Sequence, residues 1–342
     1  MRRVFLRRAA AAACVLAALS GAGCGKQQQA DRTIYLAVPL SGPLAARGAD
    51  MAHAVTLGLQ QTNYDTTGTR LKLKVIDSAR RLDIGAAASD QRAVACIGGL
   101  SITAVQSIAR ADSAAGLLQV ALAPAPSVAT TASARTANVI WQLPSAPGQG
   151  DALAQYIAGA GQRQIGFFGD GTAFSGAVRG GFDAGIARAG IEPVALGRIA
   201  KGAPVVGAGN TKGFVAADDP ANPNDSGPHT TITAGMTEDA YPPAGERFFD
   251  AFVKRFGHDP DRFAIYAYEA VGLVLDAIDR TEDAGGAVDR TNVTRSAFSI
   301  RNRFGPVGHY DILPSGRTSL YIFQARGGDA PTGPASLIEA LR

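Results

Sequence analysis

The sequence predicts an α/β fold of doubly wound parallel sheets, and three observations carry that reading. Short apolar runs such as Ile34–Val38 and Val94–Ile97 show no polar alternation, as expected of strands buried on both faces. Amphipathic segments of helical period separate them. The alternation then begins again after the Pro- and Gly-containing stretch Pro144–Gly150, which marks a crossing between two lobes.

Taken in order, Ile34–Val38 reads as a buried strand and Ala45–Gln61 as a helix, with Met51, Ala54, Val55 and Leu59 near helical spacing. Leu71–Ile76 is the next strand and ends in Asp77. Leu82–Gln91 reads as a helix, Val94–Ile97 as a strand, Thr103–Ala114 as a helix and Leu118–Leu122 as a strand. After Asn138–Leu143 the second round gives a helix over Asp151–Gly159, a strand over Gln164–Phe168, a helix over Ala177–Ala189 and a strand over Pro193–Ile199. Two long helices follow, Ala244–Phe256 and Ala264–Arg280. Gly308–Ile312 and Leu320–Gln324 flank Pro314-Ser315-Gly316-Arg317 as a late hairpin.

The N-terminus carries an address. Arg2, Arg3, Arg7 and Arg8 precede an uncharged apolar run, Ala9–Leu19, and the small residues Ser20–Gly23 stand before Cys24. This is the pattern of a secretory signal peptide, and the run is too short to span a bilayer comfortably. Four of the 33 Lys and Arg lie in this leader, which holds no acid, so the remaining 29 balance the 29 Asp and Glu. A neutral mature chain offers no electrostatic reason to bind nucleic acid. Cys14 lies in the leader, and Cys96 alone remains in the folded body, in an apolar strand where a buried, inert thiol is expected. No disulfide is then available inside the body, so stability rests on a core.

Small residues before a cysteine, and the Gln-rich Gly25–Gln29 after it, resemble the lipobox of bacterial lipoproteins, which implies acylation of Cys24. That pattern usually has Leu three residues before the cysteine, where this chain has Gly21; an ordinary cleaved leader is the alternative. A second resemblance runs in order from about residue 33 to 326. Val38-Pro39-Leu40-Ser41-Gly42-Pro43, then Gly48; Ile97-Gly98-Gly99-Leu100-Ser101; Ala123-Pro124-Ala125-Pro126-Ser127; Phe168-Gly169-Asp170-Gly171-Thr172-Ala173-Phe174; Tyr241-Pro242-Pro243; Tyr266–Ala270; and Gly308-His309-Tyr310-Asp311 are similar to successive pieces of the leucine-binding family of type I periplasmic binding proteins.

That resemblance implies two α/β lobes joined by hinge crossovers, with a small amino-acid-like solute held between them for an ABC permease. It implies a monomer, without cofactor or catalytic role, on the outer face of the bacterial cytoplasmic membrane or in the periplasm. The expected division is 1–23 signal peptide, 24–32 tether, 33–142 plus 244–312 first lobe, 143–243 plus 318–326 second lobe, and 327–342 tail. Ser101, Thr103, Ala125, Ser127, Arg47 and Phe174 become the candidate ligand-binding residues. Helix capping by the hydroxyls of Ser101, Thr103 and Ser127 is the plainer reading and is compatible with ligand contact.

The departures from the family matter as much. Ile102 stands where a hydroxyl residue commonly binds the ligand carboxylate, and Phe174 replaces a tyrosine. Arg47 falls where the first loop has an aromatic residue; it reads as a solvated rim arginine or as a partner for an acidic ligand. Only Ala200–Ala203 separates the apolar runs ending at Ile199 and beginning at Pro204, where the family has a helix, a strand and a further helix. Adjacent parallel strands need a crossover of about a dozen residues. The second lobe is therefore expected to be shortened, with fewer parallel strands than the first and without a carboxylate partner for a ligand ammonium.

Chemistry is otherwise sparse. His53, His229, His258 and His309 have no metal-ligand spacing. Gly169-Asp170-Gly171 and Gly207-Ala208-Gly209 are uncompleted fragments of phosphate-loop patterns, and Ser175 lacks the glycine of a nucleophile elbow. The alternative function is a non-transport sensor, or a degenerate binding-protein-like lipoprotein that no longer holds amino acids.

Overall fold

The computed structural model describes residues 30–66, 68–80, 85–126, 137–159, 164–193, 205–208, 215–217, 219–223, 230–231, 234, 238 and 241–318. Two five-stranded sheets organise it, and every strand pairing within them is parallel.

The first sheet contains β1 (Ala30–Val38), β2 (Thr69–Asp77), β3 (Ala93–Gly98), β4 (Leu118–Pro124) and β5 (Val139–Leu143), in the order β2-β1-β3-β4-β5. β3, β4 and β5 are buried at every position, which is why their sequences are continuous apolar runs. β2 lies at an edge and alternates at its start, with Lys72 and Lys74 outward. These lysines pair with Asp31 at 2.6 Å and Asp90 at 2.8 Å, and charges of this kind discourage further strand addition.

Helices α1 (Ala45–Gln61), α2 (Ala86–Ser89) and α3 (Ile102–Ala114) connect these strands. The first sheet also receives three helices from far along the chain: α6 (Pro243–Phe256), α7 (Ala264–Asp283) and α8 (Arg290–Phe298). α6 begins with a proline in its first turn, ends with Lys254 and Arg255, and is closed by Gly257 at φ +80°. One core joins Ile34, Leu36, Met51 and Leu59 to Phe248, Phe252, Tyr266 and Leu273. Arg290, at the start of α8, reinforces the union by donating to the carbonyls of Ala88 (3.0 Å), Asp90 (2.6 Å), Ala93 (3.1 Å) and Ala115 (3.2 Å).

The second sheet contains β6 (Gln164–Gly169), β7 (Glu192–Pro193), β8 (Val205–Ala208), β9 (Val215–Ala217) and β10 (Thr230–Thr231), in the order β10-β9-β8-β6-β7. The expectation of fewer parallel strands here is wrong: both sheets have five. β7 and β8 are not neighbours but flank β6 on opposite sides, so the crossover expected between adjacent strands never arises. The strand read over Pro193–Ile199 is described only as the two residues of β7. Among the described residues no helix occurs between β7 and α6.

Two helices serve this sheet, α4 (Ala146–Gly159) and α5 (Ala173–Ala189). α4 begins inside the stretch read as a crossing. α4 and α5 meet backbone to backbone: a Cβ at Gly150 would lie 1.9 Å from the Val178 carbonyl oxygen, and one at Gly181 equally close to that of Pro147. The late hairpin is β11 (Arg303–Gly305) with β12 (Gly308–Tyr310), upstream of the expected pair. Leu320–Gln324 lies outside the described residues. Ile312 and Thr318 do form an antiparallel bridge across the Pro314–Arg317 turn. No helix among the described residues is long and apolar enough to cross a membrane.

Candidate functional site

In a doubly wound sheet the crevice opens where the strand order reverses, at the carboxyl ends of the strands on either side. In the first sheet the reversal falls between β1 and β3. The loops leaving them, Pro39–Leu44 and Gly99–Ser101, share one sheet edge because the strands are parallel and in register from Ile34–Ala95 to Ala37–Gly98. β4 ends at the same edge, just before Ala125.

Backbone geometry brings the first two loops close. Gly98 has φ +141°, and a Cβ there would sit 2.0 Å from the carbonyl oxygen of Ala37; only glycine permits that approach. Asp77, at the end of β2, fixes the first loop. Its carboxylate accepts from the Leu40 N–H at 2.9 Å and the Ser41 hydroxyl at 2.7 Å. These bonds, the first above all, hold its carboxyl below the usual carboxylate range. Sequence reasoning saw Asp77 only as a strand end.

Ser101 is the N-cap of α3, accepting from the Ala104 N–H at 3.2 Å. Its side-chain oxygen is thus engaged with the helix. Ile102 and Thr103 occupy the exposed first turn of α3, and Ala125 is buried. Ser127 lies outside the described residues, as does Cys24.

Arg47 departs most from its sequence reading. It is buried, not a solvated rim residue. Its guanidinium pairs with Asp261 at 2.9 Å, donates to the carbonyls of Pro220 at 2.8 Å and Asn222 at 3.0 Å, and lies 5.1 Å from the Phe263 ring centre. Pro220 and Asn222 follow β9 of the second sheet, so Arg47 ties the first turn of α1 to a segment leaving the other sheet. Nothing in the local sequence links positions 47, 220, 222 and 261.

In the second sheet the reversal falls between β6 and β8, and the loop after β6 leads into α5. Asp170 accepts from the Thr172 N–H at 3.0 Å and its hydroxyl at 2.7 Å, while Thr172 caps α5 through the Ser175 N–H. The glycine fragment here is a turn that starts a helix. Asn222 reaches toward Asp170 at 3.5 Å, connecting this loop to the segment that Arg47 holds. Phe174 is half-buried against the second core. Asp218 lies outside the described residues, and Glu238 is exposed.

A groove of about 500 Å³ lies elsewhere. It is lined by residues including Gln61, Arg247, Asp250, Lys254 and Tyr268. Gln61 closes α1, whose opening residue Ala45 is near the first reversal point, so about 24 Å of helix separates groove from crevice. Its position follows from helix packing and has no relation to the reversal points.

The fold also gathers groups that spacing could not. Asp50 and His53 on α1 meet His258, some two hundred residues later, with ligand-capable atoms all within 4.8 Å of one another.

No family model and no curated protein matches the chain. Solved structures do. An ABC transporter substrate-binding protein from Desulfitobacterium hafniense in complex with Leu superposes with a TM-score of 0.69 at 16% identity, covering 84% of this chain and 95% of that one. The branched-chain amino acid transporter substrate-binding protein of Streptococcus pneumoniae in complex with isoleucine gives 0.65 at 15%, covering 84% and 93%. A solute-binding protein from Rhodopseudomonas palustris in complex with benzoate gives 0.62 at 14%, covering 84% and 90%. At these identities the likeness establishes the fold, that of the type I periplasmic binding proteins.

Proposed function

We propose, from this fold, that the chain is an extracytoplasmic solute-binding protein that closes two lobes on a small amino-acid-like solute and presents it to an ABC permease. The carrying observation is the repetition of one winding order in two sheets of one chain, with a reversal-point loop from each. Such loops supply what a carboxylate needs: the unpaired N–H groups in the first turn of α3, beside the Thr103 hydroxyl. Phe174 supplies an apolar wall from the second lobe. In this reading Arg47 acts on the closed form rather than on the solute, because its donors already serve Asp261, Pro220 and Asn222. Acylation of Cys24 would hold the protein at the membrane. Cys24→Ala is expected to release it into the soluble fraction; a variant still processed and retained on membranes defeats the anchor.

The ammonium end of an amino acid is less well served. Asp170 is the carboxylate at the second reversal point, and Thr172 already donates to it twice. A buried ammonium without a full partner is strongly penalised, so leucine, isoleucine and valine should bind weakly. Calorimetric titration with these three and with benzoate and 3,4-dihydroxybenzoate tests the proposal. A solute at a hundred times its dissociation constant should stabilise the fold by about 2.7 kcal/mol. Tight leucine binding would mean that a carboxylate, Asp170, Asp218 or Glu238, reaches the cleft. Silence across the whole panel would favour the second reading, a sensor or degenerate lipoprotein. Ile102, exposed on the first turn of α3 where a hydroxyl would be needed, is the observation that keeps that reading in play.

A further inference from the structure

We propose that Asp50, His53 and His258 form a three-point site for a divalent transition-metal ion of the Zn²⁺ class, independent of the solute cleft. The Asp50 Oδ1 lies 3.9 Å from His53 Nδ1 and 3.8 Å from His258 Nε2. In a tetrahedral site with metal–ligand bonds of about 2.1 Å, ligand atoms stand about 3.4 Å apart, so small side-chain rotations close the triangle.

Each donor atom faces inward with its lone pair available. His258 Nδ1 lies 2.9 Å from the Asp259 carbonyl. A carbonyl can only accept, so Nδ1 carries the proton in the neutral ring and Nε2 is left as the ligand atom. This is the outer-shell bond that commonly orients a metal-binding histidine. Asp50 uses Oδ2 to accept the Asp261 N–H at 2.8 Å, which leaves Oδ1 toward the histidines. His53 Nδ1 is buried and has no hydrogen-bond partner.

The rings are also held. His53 stacks on Phe256 with centres 4.2 Å apart and planes 11° from parallel, and His258 stands edge-on to Phe252 at 5.5 Å. Two imidazoles and a carboxylate suit Zn²⁺, Co²⁺ or Ni²⁺ better than Ca²⁺ or Mg²⁺, which prefer all-oxygen shells. Both histidines are about half exposed, so a fourth position is open to water. A bound ion would join α1 to residues 257–263, the same loop whose Asp261 holds Arg47.

The test is calorimetric titration of the full chain, carrying no polyhistidine tag, with Zn²⁺ alone, together with the visible spectrum of the Co²⁺-loaded protein. One equivalent of Zn²⁺ should bind with micromolar affinity, and Co²⁺ should give a ligand-field band. His53→Ala, His258→Ala and Asp50→Asn should each weaken binding by about tenfold or more. His309→Ala should leave it unchanged. The half-exposed histidine variants should melt as the parent does without metal, so a loss of binding is not a loss of fold. Absence of saturable binding, or binding that survives both His53→Ala and His258→Ala, overturns the proposal.

Discussion

The first sheet threads its strands in the order 2-1-3-4-5, and the second repeats that order as β7-β6-β8-β9-β10. Among the described residues, the first sheet's strands run to 9, 9, 6, 7 and 5 residues, and β6 of the second has six. Among the described residues, 42 apolar side chains form the principal core of the first unit and ten form that of the second. The two units thus share a winding order, which places a loop at each reversal point, around cores of their own.

Truncating one buried aromatic in each unit separates the two most sharply. Phe252→Ala and Phe182→Ala should each cost about 3–5 kcal/mol locally. The first should unfold the larger unit, because Phe252 lies in the core shared by α1, α6 and α7. The second should release only the unit built on α4 and α5. Hydrogen exchange reads the difference: in Phe182→Ala the amides of β1, β3 and β4 should stay protected. Equal loss of protection in both sheets would make the two units one cooperative body.

A pH effect should sharpen the contrast. Asp112, on α3, is fully buried, with the Cys96 thiol as a weak hydrogen-bond partner. Burial, before any other influence, pushes its carboxyl up to about 7 from 3.8. The folded state therefore keeps a proton that the unfolded chain loses. Stability from this group is whole below about pH 4, falls as pH rises to about 7, and is constant above that. The full loss is about 4 kcal/mol at most. Asp112→Asn should flatten the profile and raise stability at neutral pH, with the change confined to exchange in the first sheet. An unchanged profile in urea melts at pH 5 and pH 8 would remove Asp112 as its source.

Arg47→Ala should have a smaller effect, about 1.5–3 kcal/mol, the usual value of hydrogen bonds to a charged group. Its consequence should fall on the second unit: limited proteolysis there should quicken, while the first sheet's exchange is little altered. Arg47→Lys should rescue only part, since one ammonium cannot serve Asp261 and two carbonyls in the same planar geometry.

Legibility in the sequence followed the same division. In the first unit β3, β4 and β5 are continuous apolar runs and α1 and α3 amphipathic segments, so Ala45–Gln61 was readable to the residue and Leu118–Leu122 nearly so. In the second unit β6 was readable as Gln164–Phe168, but β9 and β10 left no readable pattern, and the sheet order could not be found. Of the candidate site, the reversal-point loops were legible because Gly98-Gly99 and the N-cap Ser101 leave local signatures. Arg47, Asp77 and the Asp50–His53–His258 group were not. Their roles depend on partners brought from distant segments, and a lone arginine or histidine carries no mark of that.

The reach of α6, α7 and α8 back to the first sheet has a consequence for synthesis. Phe248, Tyr266 and Val293 complete a core begun by Ile34, so that core cannot close until most of the chain has emerged. Among the described residues, the second sheet and its two helices lie between residues 146 and 231, and their principal core is drawn from that segment alone. The smaller unit can therefore form first, as an insertion in an unfinished larger one. For that interval the apolar strands of the first sheet are exposed and rely on whatever keeps a nascent chain from aggregating. An insertion of this kind can also change length without disturbing its host, since its two ends return to the same sheet.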